Sequence, residues 1–507
     1  MVASLGPPYR LGMRVFPAGL LTVVLLAGCG TTVPLSAQQT VGSDQSGLAP
    51  GASTDGTAPA GTAGSSAGAL GGTGGTDAGG TGGIAPGAGS GSGQAPGSAG
   101  GATGPGSSTA GTAVSANDHT PIIVGFEVIQ GGNQFIASGF GTPVNFGDGR
   151  KEITAVIKDL NAHHGINGHP ITPIFADWDA ATGDQGRQAD CATLIDDGHA
   201  QFVLTVININ SALLGCVAKH GVPLINSSLG AGDDYLYRTY RGNFFSPAMM
   251  SLNRESALLL RRLLERHVLV PGHKVGVVLD GTDPQYDRVF KETEEPTLKS
   301  LGLPYDSYSV AAEADVNSAV LRFKADGVQQ VVFIAPNGII ATLFMQDAEQ
   351  QQYRPTYGMG DSTAAWFAAK AAPPAQVKGF QGVASLPLGN VEVSQYPTTP
   401  RERACLSLIA KEGENNADRH TSITATVYCE AIYSWATVAQ LVTGKVTPAA
   451  WRAAYPRVGT SYQPVTTFAT DFGNGQNGNA VQYRDMGWSE SCSCVTYAGP
   501  YRPIPRS

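Results

Sequence analysis

From Thr120 onward the chain alternates short continuous apolar runs with longer stretches whose apolar residues recur every three to four positions. Pro121-Ile122-Ile123-Val124-Gly125-Phe126 reads as a buried strand. Ile153, Val156, Ile157 and Leu160 follow at i, i+3, i+4, i+7, the stripe of a helix. Strands are predicted at Ile171 to Phe175, Phe202 to Val206 and Val222 to Ile225, with helices at Arg187 to Ile195 and Ser211 to Lys219. A long helix through Leu258 ends near Arg266, and the pattern restarts after Pro271-Gly272. Lys274 to Leu279, Tyr305 to Val310, Val331 to Ile334 and Thr356 to Met359 are strands there, separated by helices over Tyr286 to Leu301, Val316 to Ala325 and from Asn337. Val/Ile runs without alternation, separated by helices, imply parallel sheets covered on both faces. Nearly 390 residues exceed the size at which single cores divide. The fold class expected is therefore α/β, with two Rossmann-like lobes around a hinged cleft. Lobe 1 takes 119–250 and returns over 379–450; lobe 2 takes 251–378 and returns over 451–507, tail included.

The first 118 residues read differently. Arg10 and Arg14, without acidic neighbours, precede an apolar stretch from Val15 to Leu26 and the run Leu26-Ala27-Gly28-Cys29. A basic start, a short apolar region and small residues before a cut site mark an export signal, here 1–28. About twelve apolar residues fall short of the roughly 20 that span a bilayer. Between Gly30 and Ala116 there is no aromatic residue, Lys or Arg. Such a segment cannot bury enough apolar surface to offset the entropy of ordering, so 29–118 is expected to be a disordered tether. Its span as a flexible coil is roughly 50 Å. Gly64-Ser65-Ser66-Ala67-Gly68 matches a hydrolase nucleophile pattern but lacks the strand and helix that would present the serine.

Loss of residues 1–28 removes two arginines and no acid, which takes the formal charge from −8 to −10. That acidity argues against nucleic-acid binding. Six cysteines remain after Cys29, an even number that favours disulfides in an exported chain. Six allow 15 pairings. Neighbour logic selects Cys191–Cys216, Cys405–Cys429 and Cys492–Cys494. A metal is the rival at the last pair, but no histidine lies near Cys492. His163, His164 and His169 fall on a surface turn and are read as solvated. The glycines at 139 and 141 do not form a dinucleotide fingerprint, so no cofactor is implied.

Open parallel sheets bind ligands beyond the carboxyl ends of their strands. The candidates are thus Asn208, Asn210, Ser211, Asn226, Ser227 and Ser228 in lobe 1, and Asp280, Tyr286, Asn337 and Asp361 with Ser362 in lobe 2. Each has a plainer alternative. The serines suit helix caps, Asp361 suits a turn, and Tyr286 and Tyr428 suit core aromatics with one wet edge.

Asn161-Ala162-His163-His164-Gly165-Ile166-Asn167-Gly168-His169-Pro170-Ile171 is similar to the helix-to-strand junction of type I periplasmic binding proteins, the branched-chain amino-acid and amide receptors of ABC importers. His220-Gly221-Val222-Pro223-Leu224-Ile225 and Tyr237-Arg238-Thr239 resemble two further motifs of that family, in order and at similar spacing. Cys29 resembles the lipidated cysteine of bacterial lipoproteins. The resemblance implies that Ser228 and the Asn208–Ser211 loop meet a ligand carboxylate, and that Tyr286, Asn337 and Asp361 supply an aromatic wall, a polar contact and an acid. It places Tyr428 near the cleft. Gly230 departs from it, standing where amino-acid binders carry Thr, as does Asn337, where many carry an aromatic.

The expectation is a monomeric, lipid-anchored receptor on the outer face of the membrane that delivers a small polar molecule, amino-acid- or amide-like, to an ABC permease by hinge closure. A ligand sensor without transport is the alternative. An exported enzyme ranks below both, because no triad, metal set or phosphate loop stands on the strand–helix junctions.

Overall fold

The structure, a computed structural model, describes residues 119–130, 146–179, 182–227, 230–336, 338–386, 391–395, 399–413 and 424–505. The leader, Cys29, the tether, Ser228 and Asn337 lie outside the described residues. Two sheets form the frame. The first holds β1 (Ile122–Gln130), β2 (Ile171–Asp179), β3 (Phe202–Thr205), β4 (Leu224–Asn226) and β5 (Phe244–Phe245) in the order β2-β1-β3-β4-β5, all parallel. The second sheet adds β6 (Val275–Asp280), β7 (Tyr305–Val310), β8 (Gln330–Ile334), β9 (Thr356–Gly360) and β10 (Gln381–Ala384). Its parallel part runs β10-β9-β8-β6-β7, the same winding as the first sheet. Chain order therefore reverses between β1 and β3 and again between β6 and β8, and each reversal opens a crevice at the carboxyl edge. β6 is buried at all six positions, as its continuous apolar run requires.

The junctions behave as their sequences demand. Gly165 (φ +63°) and Gly168 (φ +88°) turn the chain out of the helix Gly149–Ala162. A Cβ on Gly165 would sit 2.1 Å from the His169 carbonyl, so only glycine fits there. Pro223 precedes the first residue of β4, where a missing N–H costs the ladder nothing.

Three corrections follow. The second sheet is mixed, because β11 (Gln482–Ser489) and β12 (Cys494–Pro503) form an antiparallel hairpin on β10. These strands carry Arg, Asp, Gly and Pro, which hides the apolar signal. The return to lobe 1 does not begin at 379, since β10 pairs with β9 of lobe 2. The return to lobe 2 does not begin at 451 either. Trp451 packs against Phe202 and Phe245 of the first sheet, and Tyr455 lies on Phe245, so chain up to that point belongs to lobe 1. Neither boundary has a periodic signal to mark it.

Among the described residues the chain between the lobes is laced together at three places, 246–251, the end of β10 and 462–479. The first (246–251) meets the third through Ser246 N to Asn477 O (2.7 Å), Asn479 N to Ser246 O (3.0 Å) and Thr470 Oγ1 to Pro247 O (2.7 Å). The second meets it through Phe468 N and Thr467 Oγ1, both donating to Ser385 O. Buried Glu430, on the helix Thr424–Gln440, accepts from Tyr462 Oη, Val465 N and Thr466 N at 2.6–2.7 Å and so fixes the start of the third.

The disulfides join Cys191 to Cys216, Cys405 to Cys429 and Cys492 to Cys494. The second joins the helix Pro400–Lys411 to the helix Thr424–Gln440, which packs on the first sheet. Replacing Cys405 and Cys429 by serine is expected to cost roughly 3 kcal/mol, the loop-entropy value for a closure of this length, read as a lower midpoint in urea unfolding.

Candidate functional site

The residues at the strand ends divide into those used inside the protein and those left at the crevice. Asn210 caps the helix Ser211–Lys219, its Oδ1 accepting from Leu213 N at 3.0 Å, and Ser211 stands exposed at the first turn. Asn226 donates to Ile207 O at 2.6 Å. Ser227 is fully buried and donates from Oγ to Val427 O at 2.6 Å, binding the end of β4 to the helix Thr424–Gln440. Tyr428 is 2 % exposed and belongs to the core. Burial, with the charge of Glu152 next, lifts its phenol far above the usual range.

Asp361 has a structural set of partners too. Its Oδ2 accepts from Ser385 N (2.6 Å), Ser385 Oγ (2.7 Å) and Leu386 N (3.1 Å), where β10 leaves the second sheet. Glu255, on the helix Leu252–Glu265, faces it and accepts from Ser362 N and Oγ. Burial first, then the charge of Asp361, raises the Glu255 carboxyl well above its ordinary value. This pair thus anchors the end of β10. Asp280 is raised by burial and accepts from Thr282 N (2.8 Å) and Oγ1 (2.6 Å), shaping the turn after β6. Tyr286 is 4 % exposed on the helix that follows, and burial raises its phenol, with Asp280 adding to the effect.

Two contacts bring the facing edges together. Gln285 Nε2 donates to Ile209 O at 3.2 Å, and Arg288 Nε donates to Asp233 Oδ2 at 2.6 Å. Ile209 and Asp233 follow β3 and β4 of lobe 1; Gln285 and Arg288 lie on the first helix after β6 of lobe 2. The Asn208–Ser211 loop and the helix bearing Tyr286 are therefore direct neighbours. The sequence reading named Tyr286 and not Gln285, although the same strand-end rule covers both.

It also missed what lies behind the loop. Glu127 on β1 is fully buried and ion-pairs with buried Arg187. Arg187 Nη2 donates to Asn208 O at 2.6 Å, and its guanidinium lies 4.4 Å from the Trp178 ring centroid. Thr205 Oγ1 donates to Glu127 at 2.6 Å. Asp190 lies beside Glu127; burial, followed by that neighbouring carboxyl, pushes Asp190 up to about 7. One signal was present: an acid inside an otherwise apolar strand needs a buried partner.

A family model described as "Periplasmic binding protein" matches residues 138–486. The chain belongs to the type I periplasmic binding protein family. Among solved members of this architecture it is similar to a branched-chain amino acid ABC transporter protein from Thermus thermophilus with bound valine. That match has 16% identity and TM-score 0.59, over 76% of this chain and 97% of that one. It is also similar to a fatty acid ABC transporter substrate-binding protein from Thermomonospora curvata (13%, 0.56, over 76% and 92%). A third is a solute binding protein from R. palustris in complex with 4-hydroxybenzoate (14%, 0.55, over 76% and 98%). No curated protein sequence matches the chain.

Within this periplasmic binding protein, Gly230 has a steric cause. A Cβ there would stand 2.7 Å from Asn208 Cα and 3.0 Å from Ile209 N. The loop after β3 packs onto the bare backbone of the loop after β4, and a threonine at 230 would force the two apart. Among the described residues no helix is long and apolar enough to cross a membrane, and no group of three or more His, Cys, Asp or Glu is placed to hold a metal.

Proposed function

We propose that this chain is an extracytoplasmic solute-binding lipoprotein that closes over a small polar molecule and delivers it to an ABC permease. Membership of the binding-protein family supports solute capture. The observation that carries the reading is the meeting of Gln285 with Ile209 and of Arg288 with Asp233, which joins the strand-end loops of the two lobes. Contacts made only when the lobes are together favour the shut form and are strengthened by a ligand that touches both. The export signal, Cys29 and the tether support a lipid anchor on the outer membrane face.

The pocket residues proposed are Asn208, Asn210, Ser211, Ser228, Tyr286 and Asn337; Ser227, Asp361 and Tyr428 are buried and bonded within the protein. The relatives are named for valine, a fatty acid and 4-hydroxybenzoate, so the architecture alone does not select a ligand class. Glycine at 230 removes a hydroxyl that amino-acid binders use, which favours a solute other than a standard α-amino acid.

A thermal-shift screen tests this directly. Aromatic acids, fatty acids, amides, polyamines, short peptides, sugars and amino acids are the probes. A true ligand at a hundredfold its Kd stabilises by about 2.7 kcal/mol. If no class shifts the melting temperature, or a compound that binds is chemically converted, the reading fails. For the latch, Arg288→Ala is expected to weaken the ligand so identified about tenfold (~1.4 kcal/mol). Small-angle scattering should show the ligand-free protein more open than wild type. An unchanged Kd would remove that contact from the closing step.

A further inference from the structure

Cys492 and Cys494 stand apart from the other four paired cysteines in three respects. First, they flank a single residue at the tip of the β11–β12 hairpin, where Ser489 pairs with Cys494. A ring this small restricts the unfolded chain far less than the loops closed by Cys191–Cys216 and Cys405–Cys429. Second, Cys492 is exposed, whereas Cys494 and Cys191 are 1% exposed, Cys405 and Cys429 are fully buried and Cys216 is half-buried. Third, Ser493 between them lies at φ +48°, a left-handed conformation that a residue with a Cβ adopts only under constraint. The ring is thus weakly secured and backbone-strained, and one of its sulfurs faces solvent.

Its place in the fold keeps it far from the crevice. β11 runs antiparallel to β10, with Gln381 opposite Gly487 and Ala384 opposite Arg484. The end of β11 therefore lies at the amino end of β10, on the edge of the second sheet opposite the carboxyl ends. Just beyond Cys494, Val495 accepts from Glu392 N at 3.0 Å, and Gln395 Nε2 donates to Tyr497 O at 3.2 Å. The segment 391–395 is held against this outer strand.

We propose that the Cys492–Cys494 bridge is a thiol–disulfide exchange site for low-molecular-weight thiols outside the cell. The thiolate of the small molecule attacks Cys492 Sγ, and a new S–S bond forms there as the Cys492–Cys494 bond breaks. The electron pair leaves on Cys494 Sγ, which takes a proton from water. Attack by Cys494 on the mixed disulfide restores the ring and expels the small thiol. A second small thiol attacking instead yields the oxidised dimer of that thiol and leaves Cys492 and Cys494 as a dithiol, a two-electron reduction. Attack is directed to Cys492 because it alone is accessible, and buried Cys494 is retained as the resolving group.

The test uses the folded chain from residue 29 onward, titrated with reduced glutathione, alkylated and peptide-mapped. Cys492 and Cys494 are expected to become alkylated at least a hundredfold faster than Cys405 and Cys429. With oxidised glutathione, Cys494→Ser should form a stoichiometric adduct on Cys492. The partner variant, Cys492→Ser, should react at least a hundredfold more slowly through Cys494. If the hairpin bridge opens only together with the other two, or both variants react at one rate, the proposal is overturned.

Discussion

Arg187→Leu is expected to lower stability by about 3–5 kcal/mol, the cost of breaking a buried ion pair from one side. The guanidinium offsets Glu127 and Asp190, both within the lobe, and donates to the Asn208 carbonyl. Leucine fills similar volume but leaves two carboxyls side by side and a carbonyl without its donor. The loss should grow with pH. Asp190 already sits at about 7 with the arginine present, and without that opposite charge its carboxyl moves further up. Urea unfolding at pH 5 and pH 8 separates the contributions. An equal loss at the two pH values would show that the arginine acts through packing alone.

Glu294→Gln is expected to act in the opposite direction. Glu294 lies in the π-helical turn Phe290–Glu294, is buried, and leaves Oε2 without a hydrogen-bond partner. Burial alone pushes its carboxyl up to about 8. The folded chain therefore binds a proton that the unfolded chain has released above about pH 4.5. Stability carried by this group is complete below that value and is lost progressively as pH rises through about 8. Gln keeps the shape and removes the ionisation, so the variant should gain a few kcal/mol at pH 8 and little at pH 4. Calorimetric melting across that range is the measurement. Parallel curves for the two proteins would mean that the carboxylate is solvated or paired when charged.

The parallel frame was legible because its strands are covered on both faces and so cannot alternate. Val275–Asp280 and Gln330–Ile334 declare themselves by composition. The hairpin at 482–503 was hidden, since its Arg484 and Asp485 stand in a strand only because β10 offers them an edge. The lobe returns were hidden for a different reason: Trp451 carries no mark of which sheet it will cover, and only tertiary packing assigns it.

The site was legible as a set of positions rather than roles. The rule that ligands meet strand ends pointed to Asn210 and Tyr286, which the structure places on neighbouring loops of the two lobes. It could not foresee that Ser227 would be spent on Val427, or Asp361 on Ser385, because those partners are about 200 and 24 residues away in sequence. The cysteine pairs were recoverable because short separations made neighbours the simplest partners.

β12 is the outermost strand of its sheet and carries Pro500 and Pro503. Proline lacks the N–H that an incoming chain would need, so this border is a poor template for adding another molecule's backbone. Crowded copies thus have little means of zippering into fibres along it, and the rim can stay wet and solitary however densely the protein is displayed.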